Sequence, residues 1–223
     1  SLGHFFERGD EAFSNVLAIR ILDRLVEGLR DLHKHQIVHR DIKPDNILLV
    51  PKWQGFFRVK MIDFSHARVP FGREERGVED DGDKTGTQFY MAPEQMNAEP
   101  TDERTDLYSL AVLFYEIVTS VRAIQPQKYV RSGDFFEYMQ KGFDVPTHSI
   151  GTFRPDLPPA LDDVIRRGCA RKPKNRYDSV VAFHQAVHHA LGDSLQEVSL
   201  GVPSGKSGLF NSLYQKAAGR FRR

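Results

Sequence analysis

Apolar residues recur at spacings of three and four through Val16, Ile19, Leu22, Val26, Leu29 and Leu32, with Arg20, Arg24, Glu27 and Arg30 between them. That period gathers the apolar set on one face and predicts a long amphipathic helix from Glu11 to Gln36. His33, Lys34 and His35 put potential positive charge in its last turn, where the helix dipole favours it. Ser1 to Arg8 reads as a turn with one or two helical turns. The run Ile47-Leu48-Leu49-Val50, a turn over Pro51 to Gly55, and a second run from Phe57 to Ile62 predict a β-hairpin. From His66 to Thr87 the pattern dissolves into glycines and charges, including Glu79-Asp80-Asp81-Gly82-Asp83. A loop of that length in a compact domain points to a functional or disordered segment. Asp106 to Val121 is apolar nearly all round, which predicts a helix forming the buried axis of the domain. Further helices are expected at about 132–141, 159–171 and 178–191, with prolines in the connections. No internal repeat is present. The class expected is α+β, mainly α-helical, with one small hairpin.

A chain of 223 residues, 40% hydrophobic and 27% charged, suffices for one domain with a core plus a tail. The domain is expected over 1–192, and 193–223 has a different composition. There, Ser204-Gly205-Lys206-Ser207-Gly208 reads as a linker. Beyond it, Leu209, Phe210, Leu213, Ala217 and Phe221 lie among Lys216, Arg220, Arg222 and Arg223. That basic amphipathic end suits an anionic membrane surface or a lead into a further domain, and a solvated terminus equally well. A net charge of +1 offers no global field for nucleic acid. The single cysteine, Cys169, excludes an internal disulfide framework and reads as a core residue. With no apolar run of about 18 residues and no signal peptide, the expected location is cytoplasmic, with membrane association of the intact protein left open. His4, His148, His184, His188 and His189 share no metal-ligand spacing and read as surface or satisfied histidines.

Candidate chemistry centres on His39-Arg40-Asp41-Ile42-Lys43-Pro44-Asp45-Asn46, between the long helix and the first strand. A carboxylate, a lysine and an amide within eight residues are the groups phosphate transfer requires. One orients and deprotonates a hydroxyl, one steadies the phosphoryl group, and one helps hold a metal. By itself the run equally describes a charged surface loop. Downstream come Asp63-Phe64-Ser65, then Gly86-Thr87, then Ala92-Pro93-Glu94, then Asp106 at the start of the apolar helix.

With its motifs in this order and at this spacing, the chain resembles the C-terminal lobe of a eukaryotic-type (Hanks-type) protein Ser/Thr kinase over residues 1–192. Tyr90 to Gln95 and Asn175-Arg176-Tyr177 are similar in wording to bacterial members. The resemblance implies ATP and Mg²⁺ as cofactors and a protein bearing a Ser or Thr hydroxyl as substrate. It implies that Asp41 orients or deprotonates the hydroxyl and that Lys43 contacts the transferring phosphate, a lysine associated with Ser/Thr acceptors. Asn46 and Asp63 would hold Mg²⁺, Leu48 would floor the adenine, and Thr87 would bond near Asp41 and Lys43 to shape the substrate site. His39 and Phe64 would stack between the lobes, Asp106 would hold the catalytic-loop backbone, and Glu94 would pair with Arg176. A small-molecule phosphotransferase is disfavoured by Ala92-Pro93-Glu94 and the loop at Thr87. The alternative is an inert pseudokinase lobe that docks partners.

Two departures stand out. Ser65 occupies a position where the family has glycine, which implies a motif that switches less readily. The 223 residues also contain no glycine-rich loop, no strand lysine and no helix glutamate to pair with it. Ser1-Leu2-Gly3 resembles the segment just after the hinge, so the N-terminal lobe is expected before residue 1 and the isolated chain is expected to be inactive. Arg40, beside Asp41, marks kinases whose activation loop pairs a phosphate with that arginine. Here Asp83 is a candidate substitute for the phosphate and Thr85 a candidate autophosphorylation site, and a merely solvated acidic loop is the alternative.

Overall fold

The computed structural model describes residues 1–7, 15–51, 57–68, 87–124 and 145–192. The helix expected at 132–141, the acidic loop with Asp83 and Thr85, the hairpin turn and the tail after 192 lie outside the described residues. In chain order the elements are α1 (Leu2–Glu7), α2 (Asn15–Lys34), β1 (Ile47–Pro51), β2 (Phe57–Met61), α3 (Pro93–Met96), α4 (Glu103–Thr119), α5 (Pro159–Gly168) and α6 (Val180–Leu191). Short 3₁₀ turns cover Pro44–Asn46, Thr87–Tyr90, Ile150–Thr152 and Pro173–Asn175.

Helix α4 is the axis: Thr105 through Thr119 are all buried. It begins three residues before Asp106, because Asp102 caps it by accepting a hydrogen bond from the Arg104 amide at 2.8 Å. It ends at Ser120, which takes a left-handed conformation (φ 55°). Helix α2 buries Leu17, Ala18, Ile19, Ile21, Leu22, Leu25, Val26 and Leu29, so the face read from the sequence is its packed face. Its end is a Schellman turn with Gln36 left-handed (φ 59°): the Gln36 amide donates to His33 O and the Ile37 amide to Leu32 O. That turn aims the chain into the loop beginning at His39.

Helices α5 and α6 pack on each other, on α4 and, for α6, on α2. Gly168 permits the close approach, since a Cβ there would sit 2.7 Å from Ala111 Cβ and 3.1 Å from the Phe183 ring. The two strands pair antiparallel from Ile47↔Met61 to Pro51↔Phe57, which is the expected hairpin. Cys169 follows α5 directly and is buried, which pushes its thiol up to about 12. No helix among the described residues is long and apolar enough to cross a membrane.

Candidate active site

Asp106, in the first turn of α4, is completely buried. Its Oδ1 accepts from the Arg40 amide at 2.8 Å, and its Oδ2 accepts from the His39 amide at 2.8 Å. Nε2 of His33, from the last turn of α2, lies 2.8 Å from the same Oδ2. A buried carboxylate is tolerable only when its lone pairs are satisfied, and three groups surround this one. The bonds matter because Arg40 has φ 66°, a conformation costing roughly 1–3 kcal/mol for a non-glycine residue unless its surroundings impose it. Gln95 supplies the other half of that restraint. Its Nε2 donates to Arg40 O at 2.9 Å, while its Oε1 accepts from the Ala92 amide at 3.2 Å. Both backbone polar groups of Arg40 are thus held by buried side chains.

The loop then turns through Pro44–Asn46, with the Asn46 amide donating to Lys43 O at 3.0 Å. Asp41 Oδ2 receives Lys43 Nζ at 2.8 Å and Asn46 Nδ2 at 2.7 Å. Nδ2 of Asn46 also donates to Asp41 O at 2.9 Å. Asp41 and Asn46 are buried, and Lys43 is partly so. Leu48 is half-buried in β1, opposite Lys60.

Two backbone links bring the segment after β2 beside this loop. The Ile62 amide donates to Asn46 O at 2.9 Å, and Val38 and Arg68 exchange amide–carbonyl bonds at 2.9 and 3.2 Å. Asp63 leaves β2 in the left-handed region (φ 64°). Ser65 donates to Asp63 Oδ1 from its hydroxyl at 2.6 Å and from its amide at 3.2 Å. Those two bonds, with the Lys43 charge nearby, hold the exposed Asp63 carboxyl below the ordinary aspartate value. Ser65 itself is not among the positive-φ residues, so backbone strain falls on Asp63. The serine acts as a clamp on the neighbouring carboxylate. The Phe64 ring tilts against His39 with centroids 4.8 Å apart, and Phe64 is 49% exposed.

Arg176 uses all five guanidinium donors. Two go to Glu94 at 2.7 Å each, and three go to the carbonyls of Ala170, Arg104 and Arg171 at 2.7, 2.8 and 3.2 Å. Thr105 Oγ1 donates to Glu94 at 2.9 Å, and the guanidinium lies 4.9 Å from the Tyr108 ring centre. This buried knot ties α3 to α4 and to the segment before α6.

Beneath Pro44 and Asp45 is a cleft of about 170 Å³ that includes Gly3, Tyr90, Glu116 and Arg122 in its lining. Glu116 accepts from Tyr90 OH at 2.5 Å and from the Ala123 amide at 3.1 Å. Burial pushes its carboxyl up to about 7 despite those two bonds.

The fold therefore brings together Asp41, Lys43, Asn46, Asp63, His39, Phe64 and Asp106, and separately pairs Glu94 with Arg176. The backbone of Thr87 lies in the turn Thr87–Tyr90, and nothing is described of its side chain. Sequence reasoning missed Gln95, the contact of His33 with Asp106, and Glu116. Each depends on a partner between 7 and 73 residues away, so local patterning carried no signal for it.

A family model described as protein kinase domain matches residues 2–191. Serine/threonine-protein kinase Pkn1 of Myxococcus xanthus is 32% identical over 178 residues, covering 80% of this chain and 24% of that protein. PknH of Mycobacterium tuberculosis is 30% identical over 180 residues, covering 81% of this chain and 27% of the relative. A relative named tyrosine-protein kinase MasK, also of Myxococcus xanthus, is 32% identical over 190 residues, covering 80% of this chain and 27% of that protein. The chain thus spans about a quarter of the length of the curated relatives it matches. Among solved structures, the Mycobacterium tuberculosis PknI kinase domain superposes with a TM-score of 0.58 at 22% identity, over 85% of this chain and 61% of that one. At that identity the likeness speaks for the fold alone.

Proposed function

This chain belongs to the protein kinase family, and on that premise we propose that it carries the catalytic-loop part of an ATP- and Mg²⁺-dependent protein Ser/Thr kinase. The observation that carries this reading is the fixed carboxylate of Asp41. Its Oδ2 is held by Lys43 at 2.8 Å and Asn46 at 2.7 Å, while Oδ1 has no hydrogen-bond partner among the described residues. A carboxylate immobilised on one oxygen can accept a hydroxyl proton on the other without reorganising.

The donor set suits the metal. Asn46 commits both amide hydrogens to Asp41, which leaves its Oδ1, and Asp63 presents an exposed carboxylate. Hard oxygen ligands of this kind are what Mg²⁺ takes. Bound there, Mg²⁺ would neutralise charge on the nucleotide phosphates. Asp41 orients the acceptor hydroxyl and takes its proton, and Lys43, already beside Asp41, contacts the phosphoryl group in transit. Leu48 would form the floor under the adenine. Asp106 and Gln95 hold the loop in the conformation these roles need.

Three finer readings go with this one. The described body is the C-terminal lobe, with residues 193–223 a separate tail, and the phosphates would be covered by polypeptide supplied from outside these residues. The preference for Ser and Thr rests on Lys43, which one relative's tyrosine-kinase name makes worth testing directly. Regulation would act at Arg40, whose Nε is buried without a hydrogen-bond partner among the described residues, through an anion supplied by Asp83 or a phosphorylated Thr85.

The test is transfer of labelled phosphate from ATP by the intact protein to a protein substrate, followed by phosphoamino-acid analysis. Asp41→Asn is expected to lower the rate by about 10²–10⁴-fold, with phosphate found on Ser and Thr. An unchanged rate would remove Asp41 from its role. Nucleotide binding without any transfer would make the protein a pseudokinase.

A further inference from the structure

Among the described residues, one group of three ligand-bearing side chains is close enough to share a metal ion: Asp23 of α2 with His184 and His188 of α6. His184 Nε2 lies 2.7 Å from Asp23 Oδ1, His188 Nε2 lies 3.0 Å from the same oxygen, and the two Nε2 atoms are 3.0 Å apart. Three single atoms therefore converge on one another in a small triangle.

Hydrogen bonds cannot satisfy that triangle. Each ring nitrogen has one in-plane direction, occupied by a proton or by a lone pair. The corners of a near-equilateral triangle subtend about 60°, so one N–H cannot serve two neighbours within the angles a hydrogen bond tolerates. If both nitrogens carry protons toward Asp23, the two N–H groups crowd side by side onto one oxygen with their nitrogens 3.0 Å apart. If one is deprotonated to accept from the other, it loses the carboxylate. A cation near the centre uses all three lone pairs together.

We propose that Asp23, His184 and His188 form a binding site for Zn²⁺ or a related late first-row divalent ion, clipping α6 to α2. Several observations agree. His184 and His188 are four residues apart on one helix, which puts both on the same face. The rings meet at 62° with centroids 4.3 Å apart, so they approach through their Nε2 edges and are not stacked. Tetrahedral Zn²⁺ with bonds of about 2.0–2.1 Å separates its ligand atoms by about 3.3 Å, which asks these side chains to open by about 0.3–0.6 Å. Side-chain exposures of 26%, 35% and 36% leave an entry path and room for water in the fourth position. Two imidazoles with one carboxylate favour Zn²⁺ over Mg²⁺ or Ca²⁺, so this site and the nucleotide's metal site take different ions. The consequence is structural: α2 leads into the loop carrying Asp41, and the ion joins it to the last of the described helices. None of this depends on the phosphotransfer reading.

The test is isothermal titration of ZnCl₂ into chelator-treated intact protein in buffer with millimolar MgCl₂. About one equivalent is expected to bind, with a matching rise in thermal midpoint, and His184→Gln with His188→Gln should weaken binding by at least about 100-fold. CoCl₂ is expected to give the visible absorption of a tetrahedral ion. Absence of a bound equivalent, binding unchanged in the double variant, or loss of binding to millimolar MgCl₂ would each overturn the proposal. Should the double variant not fold, diethylpyrocarbonate labelling of the unmodified protein decides the matter. Zn²⁺ should protect His184 and His188 specifically, and equal labelling with and without Zn²⁺ would refute the site.

Discussion

Glu116→Gln probes how the core beneath the catalytic loop is held. The carboxyl is 3% exposed and accepts from Tyr90 OH and the Ala123 amide. Burial raises it from 4.5 to about 7, with the two hydrogen bonds and the Arg122 charge opposing. Between those values the folded protein holds a proton that the unfolded chain has released. Stability is therefore highest at or below pH 4.5, falls as pH rises toward 7, and changes no further from this group above that. The shift corresponds to roughly 3 kcal/mol, a large share of the 5–15 kcal/mol typical of a whole domain. Glutamine mimics the neutral acid and cannot ionise, so it abolishes the slope. Urea unfolding of both proteins from pH 4.5 to 8 reads the effect as the difference in unfolding free energy, which cancels every other titrating group. The glutamine variant is expected to gain roughly 3 kcal/mol relative to the parent between pH 4.5 and 7, with a flat difference above. A difference constant across the whole range would refute the reasoning, because Glu116 would then titrate alike in both states.

Two further substitutions test the supports of the site. Arg176→Met leaves the buried Glu94 carboxylate with Thr105 as its partner among the described contacts and is expected to cost about 3–5 kcal/mol in urea unfolding. Adding Glu94→Gln should recover part of that loss, and no recovery would show the pair is not coupled. Gln95→Leu orphans Arg40 O and the Ala92 amide, at about 1–3 kcal/mol for each buried group. If the intact protein transfers phosphate as proposed, its kcat should fall while KM for ATP changes little, since the variant disturbs the loop holding Asp41. A KM effect with unchanged kcat would contradict the positioning role.

Residue order alone determined what depends on near neighbours. The three-and-four spacing marked the buried face of α2, the apolar pattern nearly all round marked α4 as the axis, and the paired runs marked the hairpin. Boundaries were less legible. Helix α4 starts at Glu103 because Asp102 caps it, and α2 stops at a turn that Gln36, not glycine, supports in the left-handed region. At Ser65, where glycine is expected, the left-handed residue is its neighbour Asp63, and the serine donates to that carboxylate. The resemblance named the groups of the catalytic loop, but not what holds them.

Only the tertiary structure decided the supports. Gln95 reaches Arg40 across 55 residues, and His33 reaches Asp106 across 73. Asp23 meets His184 and His188 across 161 and 165 residues: the four-residue spacing of the two histidines is local, and the carboxylate that joins them is not. Periodicity reports which face of a helix is apolar because that depends on spacing of a few residues. Which polar atoms meet depends on how packed helices cross and how far each is rotated, set by side-chain packing over the whole core and leaving no trace in local order.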